Sequence, residues 1–197
     1  MEAAYALTIV LNLLFLSYIH TTLAATATST VSTKNYDKYI KTACRRTTYS
    51  QVCYSSLSPY ASKIKENPLK LCTAALSVSI KAAKNASSTI AKLSKQKGLT
   101  RREAAVIKDC IENTKDAIYE LKESLDAMGH LRGSDLKFQI ADIKTWVSAA
   151  LTDENTCTDG FDGQRLSAAV KNKVRNAILN VARTTSNALS LINSIYS

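Results

Sequence analysis

Histidine is almost missing from this sequence: His20 and His130 are the only two in 197 residues. His20 falls in the N-terminal apolar stretch expected to be cleaved, which leaves His130 alone, so a multi-histidine metal site has no second ligand and a histidine-based triad would have to rest on that one residue. None of the five cysteines forms a CxxC pair, which removes the usual zinc and thioredoxin-type arrangements. Proline and glycine are scarce, at two and five, and no segment alternates apolar with polar residues, so a sheet has little to build on. The sequence also lacks a basic-aromatic cluster or any nucleic-acid motif, which argues against a nucleic-acid partner. Paired acids such as Asp153-Glu154 fall in what reads as a loop without a cleft, and Asp116 and Glu120 read as a solvated helix face. The expectation is a non-enzyme with no cofactor and no metal.

Long hydrophobic runs are equally rare. The only one is Ala6 to Ile19, shorter than the ~20 residues of a comfortable membrane span and followed by Thr22-Leu23-Ala24. This pattern predicts a secretory signal peptide over 1–24, cleaved after about Ala24, although its start carries Glu2 and no basic residue. No membrane contact is expected once it is removed. The remaining chain, about 173 residues, is long enough for one domain with a real core. Its formal charge of +10 rises by one when Glu2 leaves with the signal segment. A secreted basic protein is drawn to polyanions, although Lys and Arg are spread along the whole sequence.

What the sequence does contain is helical periodicity. Residues 25–33 are small and polar and predict a flexible tail. From Asn35 to Ser62 short helical pieces are expected, limited by Pro59, and the eight residues between Cys44 and Cys53 suit a local bridge. Asn67 and Pro68 announce a long helix with Leu69, Cys72, Leu76, Ser79, Ala83, Ala86, Ile90 and Leu93 on one stripe. Thr100-Arg101-Arg102-Glu103 is a capping box opening a second, whose stripe runs Ala104, Ile107, Ile111, Thr114, Ile118, Leu121, Leu125 and Met128. Ser134 or Asp135 is expected to cap a third, with Leu136, Ile140, Ile143, Val147 and Ala150 inward, ending near Thr152. A solvated, cysteine-bearing loop should follow, and then a fourth helix from about Gly163, with Leu166, Val170, Val174, Ala177, Val181, Thr184, Ala188, Leu191 and Ile195 on its stripe. Four amphipathic helices with short connections pack most simply as an antiparallel up-down-up-down bundle. Five cysteines in an oxidising compartment imply two disulfides and one free thiol, and spacing alone does not choose the pairs. His130 sits where a helix C-terminus favours partial positive charge. Asn85-Ala86-Ser87 is a glycosylation sequon, with Asn85 pointing away from the core, and Asn155-Thr156-Cys157 is a weaker one.

CRRTTYSQVC, DCIENTKDAIYEL, WVSAALT and TCTDGF occur in that order, and together they closely resemble the plant pectin methylesterase and invertase inhibitor family. The resemblance implies an all-α fold, with an N-terminal helical hairpin over 34–66 and a four-helix bundle over 67–197. It pairs Cys44 with Cys53 and Cys110 with Cys157, leaving Cys72 as the free thiol. It also implies secretion to the apoplast, a cell-wall location. The TCTDGF segment looks more like the methylesterase inhibitors, and the Pro-Lys-Phe of many invertase inhibitors is replaced by GFDGQRLSAAVKNKV.

The implied function is a free-standing inhibitor of pectin methylesterase that forms a reversible 1:1 complex over the pectin-binding cleft. Acid invertase is the alternative target, and a basic wall-polysaccharide binder without inhibitory activity is the second alternative. Partner contacts carried over by motif are Glu112, Asp116, Thr156 and Asp159, with Phe161 a packing residue. Thr114 and Tyr119 depart from the family's usual tyrosine and acid at those places. Weak association with anionic pectin is a further expectation from the charge.

Overall fold

The computed structural model describes residues 34–161 and 166–195. The expected signal segment and tail, 1–24 and 25–33, lie outside the described residues, as does Gly163, the expected start of the last helix; that helix begins later, at Ala168, with Leu166 and Ser167 ahead of it. All regular structure among the described residues is helical. Three short helices come first: α1 over 34–44, α2 over Ser50–Leu57 and, after a 3-10 turn at Ser58–Tyr60, α3 over Ala61–Ile64. Four long ones follow: α4 Pro68–Leu93, α5 Arg101–Gly129, α6 Leu136–Asp159 and α7 Ala168–Ile195. Consecutive long helices pack on one another, and α7 closes the ring against α4, giving an antiparallel four-helix bundle.

Local chemistry explains where these helices begin. The Asn67 side chain accepts from the Lys70 amide at 2.9 Å, and Pro68 occupies the first helical position, where its missing N–H costs nothing. At α5 the box is reciprocal. The Thr100 amide donates to Glu103 Oε2 at 2.9 Å, and the Glu103 amide donates to Thr100 Oγ1 at 3.2 Å. Glu103 then reaches further than a local cap, because its Oε1 accepts from the Ser167 amide at 3.0 Å and ties the entry of α5 to that of α7. These backbone donors hold the Glu103 carboxyl well down, at about 2. Asp135 stands at the N-cap of α6 but makes no side-chain cap bond, so the expected cap is in place without its hydrogen bond.

The inward stripes hold over most of their length and fail at their ends. Leu69 is 37% exposed and Leu136 40%, Ala104 is exposed, and Leu166 is only half-buried. Each stands in the first turn of its helix or just before it, beyond the reach of the neighbouring helix. Leu71, Ala75 and Ile80 on α4 are buried although off the expected stripe, because α4 is covered by α2 and α3 as well as by α5 and α7. Cys72 is fully buried and free, and burial pushes its thiol up to about 12, which leaves it an unreactive apolar filler.

The hairpin is anchored by two devices. A Cys44–Cys53 disulfide joins α1 to α2 with Cα atoms 5.5 Å apart. Beyond it, the Asn187 side chain on α7 engages both backbone groups of one residue: it accepts from the Tyr49 amide at 3.1 Å and donates to the Tyr49 carbonyl at 3.0 Å. The Arg183 guanidinium lies 5.7 Å from the centre of the Tyr49 ring. Asn187→Ala strands the Tyr49 amide, while the Tyr49 carbonyl keeps the Cys53 amide at 2.9 Å, and the change is expected to cost about 1–2 kcal/mol in urea unfolding. A cost below ~0.5 kcal/mol would mean that water replaces the amide without loss.

Candidate functional site: the paired helices α5 and α6

Helices α5 and α6 share the widest contact in the bundle, and the Cys110–Cys157 disulfide joins them with Cα atoms 4.5 Å apart. The structure corrects the loop expected after Thr152. Helix α6 runs on to Asp159, so Asp153, Glu154 and Cys157 all lie on it. The sequence hid this because the inward stripe continues through a polar residue: Ile143, Val147, Ala150, Glu154 and Cys157 follow one another at three- and four-residue steps, and all are buried. Threonine hydroxyls in this last part bond back along the helix, Thr152 to the Ser148 carbonyl at 3.0 Å and Thr156 to the Thr152 carbonyl at 2.9 Å, which satisfies them without a solvent partner. Phe161, just past the end, is buried.

The four residues carried over as partner contacts are all exposed and lie close in sequence to the bridge. Glu112 and Asp116 follow Cys110 on α5, and Thr156 and Asp159 flank Cys157 on α6. Glu112 makes a loose ion pair with Lys108 at 3.9 Å, which is exposed on both sides and adds little. Among these acids stands Tyr119, 63% exposed, seven residues after Glu112, three after Asp116 and four before Glu123. That spacing puts the ring on the same outward face as the three carboxylates. An exposed aromatic framed by charges has the make-up of a docking anchor.

Behind this face lies an acidic cluster that the sequence did not reveal. Glu120 and Asp153 lie within hydrogen-bonding reach across the α5–α6 seam, with Asp116 near enough to act on both. Burial, then the Asp153 charge and hydrogen bond, then Asp116, push Glu120 up to about 7. Asp153 is raised too, chiefly by burial and by Asp116, while its bond to Glu120 pulls the other way. Glu154 is only 1% exposed, and its Oε1 accepts from the Thr185 hydroxyl of α7 at 2.8 Å. Burial pushes it up to about 8, and its Oε2 has no protein partner. The stripe spacing at Glu154 was the signal that could have placed it inside.

Charge is divided between the layers. Eleven of the 16 acidic residues lie on α5 and α6 and none on α4 or α7, so the α5–α6 face is the acidic side of a basic protein. At the far end of α5, the His130 ring nitrogen Nδ1 sits 2.8 Å from the Asp126 carbonyl, a helix-end contact remote from the bridge. Asn85 is exposed in mid-α4. Among the described residues no helix is long and apolar enough to cross a membrane, and no group of three His, Cys, Asp or Glu is placed to hold a metal ion.

Comparison with known proteins gives a consistent answer. Residues 38–191 match the family described as plant invertase/pectin methylesterase inhibitor. A Daucus carota protein named "21 kDa protein" is 44% identical over 161 residues, 80% of this chain and 83% of its own length. "Pectinesterase inhibitor 4" of Arabidopsis thaliana is 41% identical over 162 residues, 81% of either chain. The fold is shared with a crystal structure of a mutant pectin methylesterase inhibitor from Arabidopsis, at a TM-score of 0.59 and 20% identity over 78% of this chain and 95% of that one.

Proposed function

Because the chain belongs to the plant invertase/pectin methylesterase inhibitor family, we propose that it inhibits pectin methylesterase by forming a reversible 1:1 complex that occludes the pectin-binding cleft. The observation that carries the reading is the acidic α5–α6 face. It is rigid before any partner arrives, because it stands on two long helices joined by the Cys110–Cys157 bridge, so docking orders few side chains and no loop. Glu112, Asp116, Thr156 and Asp159 supply the polar contacts, and Tyr119 supplies apolar area at the centre. The inhibitor undergoes no reaction. It acts by covering a surface, in the extracellular space of the cell wall, after removal of residues 1–24 and with a glycan on Asn85.

A titration against one plant pectin methylesterase and one acid invertase tests this. Methylesterase activity should be lost near one equivalent, with invertase spared. Tyr119→Ala should weaken inhibition by about tenfold or more, as expected for a central aromatic anchor. Asp116→Asn/Asp159→Asn should mainly slow association and reduce its salt dependence. Inhibition of invertase alone would keep the family and replace the target. Silence on both would reject the inhibitory reading and favour a wall-polysaccharide binder.

A further inference from the structure

The bundle has a second charged face, opposite in sign to the first. Helix α4 carries no acid at all, and its four lysines, Lys70, Lys81, Lys84 and Lys92, are all exposed. At 100° per residue they fall within an arc of about 80°, so they form one file along the outer side of the helix, about 33 Å long at 1.5 Å per residue. None of them makes an ion pair among the described residues, so their charge is not neutralised within the fold. The nearest acid in sequence is Glu66, in the turn before α4. Net charge predicted only a diffuse attraction to polyanions, but the fold sorts acids to α5 and α6 and leaves this stripe purely basic.

At its N-terminal end the stripe runs into an open groove of about 370 Å³ between α3 and α4, lined by Tyr60, Lys63, Lys70, Thr73 and Ser77. Thr73 and Ser77 donate to carbonyls of their own helix at 2.9 and 2.8 Å, which leaves hydroxyl lone pairs able to accept from a sugar. A half-buried aromatic ring, two ammonium groups and two hydroxyls suit a carboxylated sugar. The rest of the stripe is interspersed with Ser77, Ser88, Ala74 and Ala91 and offers no large apolar wedge, which is what insertion into a lipid surface would need. Lysine without arginine supplies point charges rather than the planar fork that favours phosphate.

We infer that the outer face of α4, with the groove at its start, binds a linear polyuronate, a chain of carboxylated sugars laid along the lysine file. The surface is separate from α5–α6, so the protein can hold such a polymer on one side while the other stays open to an enzyme. Asn85 lies four residues after Lys81 at the edge of the file, and a glycan there would overhang it.

The experiment measures affinity for polygalacturonate using the full secreted protein and its Asn85→Gln form. Lys70→Gln/Lys81→Gln/Lys84→Gln/Lys92→Gln is compared with a set of equal charge loss on the other face, Lys108→Gln/Lys115→Gln/Lys122→Gln/Lys137→Gln. In the Asn85→Gln background the stripe set should lose about tenfold or more and the other set about twofold, with the difference shrinking as salt is raised. Inhibition of pectin methylesterase by the stripe set should be unchanged, which separates failure here from failure of the inhibitory reading. Equal loss in the two sets, no binding by the parent, or tighter binding to phosphatidylserine vesicles than to polygalacturonate would each overturn the inference.

Discussion

Glu154→Gln is expected to raise the melting temperature at pH 8 by on the order of 10 °C and to change it little at pH 5. The carboxyl is 1% exposed, and the charges that act on it, Asp153 on α6 and Glu120 on α5, are both acids. From α7 it receives only the Thr185 hydroxyl. Burial therefore dominates and lifts it from 4.5 to about 8. The folded state holds this proton more tightly than the unfolded state does. Stability is then fullest below about 4.5 and falls as pH rises toward 8, by on the order of a few kcal/mol at ~1.4 kcal/mol per pH unit. Glutamine has nearly the shape of the protonated acid and keeps an oxygen for Thr185, so it removes the penalty without opening a cavity.

Glu120 adds to the same slope at a lower pH, since it is raised to about 7. Glu103 works in the opposite sense. Its carboxyl is held down at about 2, so its contribution is present above about 4.5 and disappears as pH falls toward 2. The parent should be most stable in mildly acid solution, between these two limbs. Thermal melts of parent and Glu154→Gln from pH 5 to pH 8 decide the matter, and equal slopes for the two proteins would refute the account of Glu154.

The second large effect is expected at the bridge between α5 and α6. Replacing both Cys110 and Cys157 with alanine frees a 47-residue separation, for which the chain-entropy account gives about 4 kcal/mol. The Cys44–Cys53 bridge closes only nine residues and is worth about 2–3 kcal/mol on the same account. The two variants differ in function as well as in stability. Cys110→Ala/Cys157→Ala loosens the two helices that carry Glu112, Asp116, Thr156 and Asp159, so methylesterase inhibition should weaken by about tenfold even at a temperature where the variant stays folded. Cys44→Ala/Cys53→Ala loosens the hairpin and should leave inhibition near that of the parent. If the first variant is destabilised but inhibits as well as the parent, the bridge staples the bundle and has no part in presenting the face.

Much of this architecture was legible in the sequence because helix signals are local. The Asn67 and Thr100 caps and the apolar repeats at three- and four-residue steps depend only on residues within a few positions of each other. The end of α6 was missed. The stripe spacing continues through Glu154 to Cys157, but an acid there reads as the start of a solvated loop when its packing partner is not in view, and that partner, Thr185, lies 31 residues away on another helix. The amide clamp of Asn187 on Tyr49 spans 138 residues and leaves no local trace.

By itself, then, the sequence determined four long amphipathic helices, the caps that open α4 and α5, a basic chain with one histidine outside its N-terminal apolar stretch, and the family to which its motifs point. Tertiary structure alone decided which polar groups are buried, that Glu120, Asp153 and Glu154 act on one another, and that the two acid-bearing helices, α5 and α6, pack side by side. The reason is physical: capping and periodicity act within a turn or two of chain, whereas desolvation and charge segregation depend on helices that meet only after the bundle has closed.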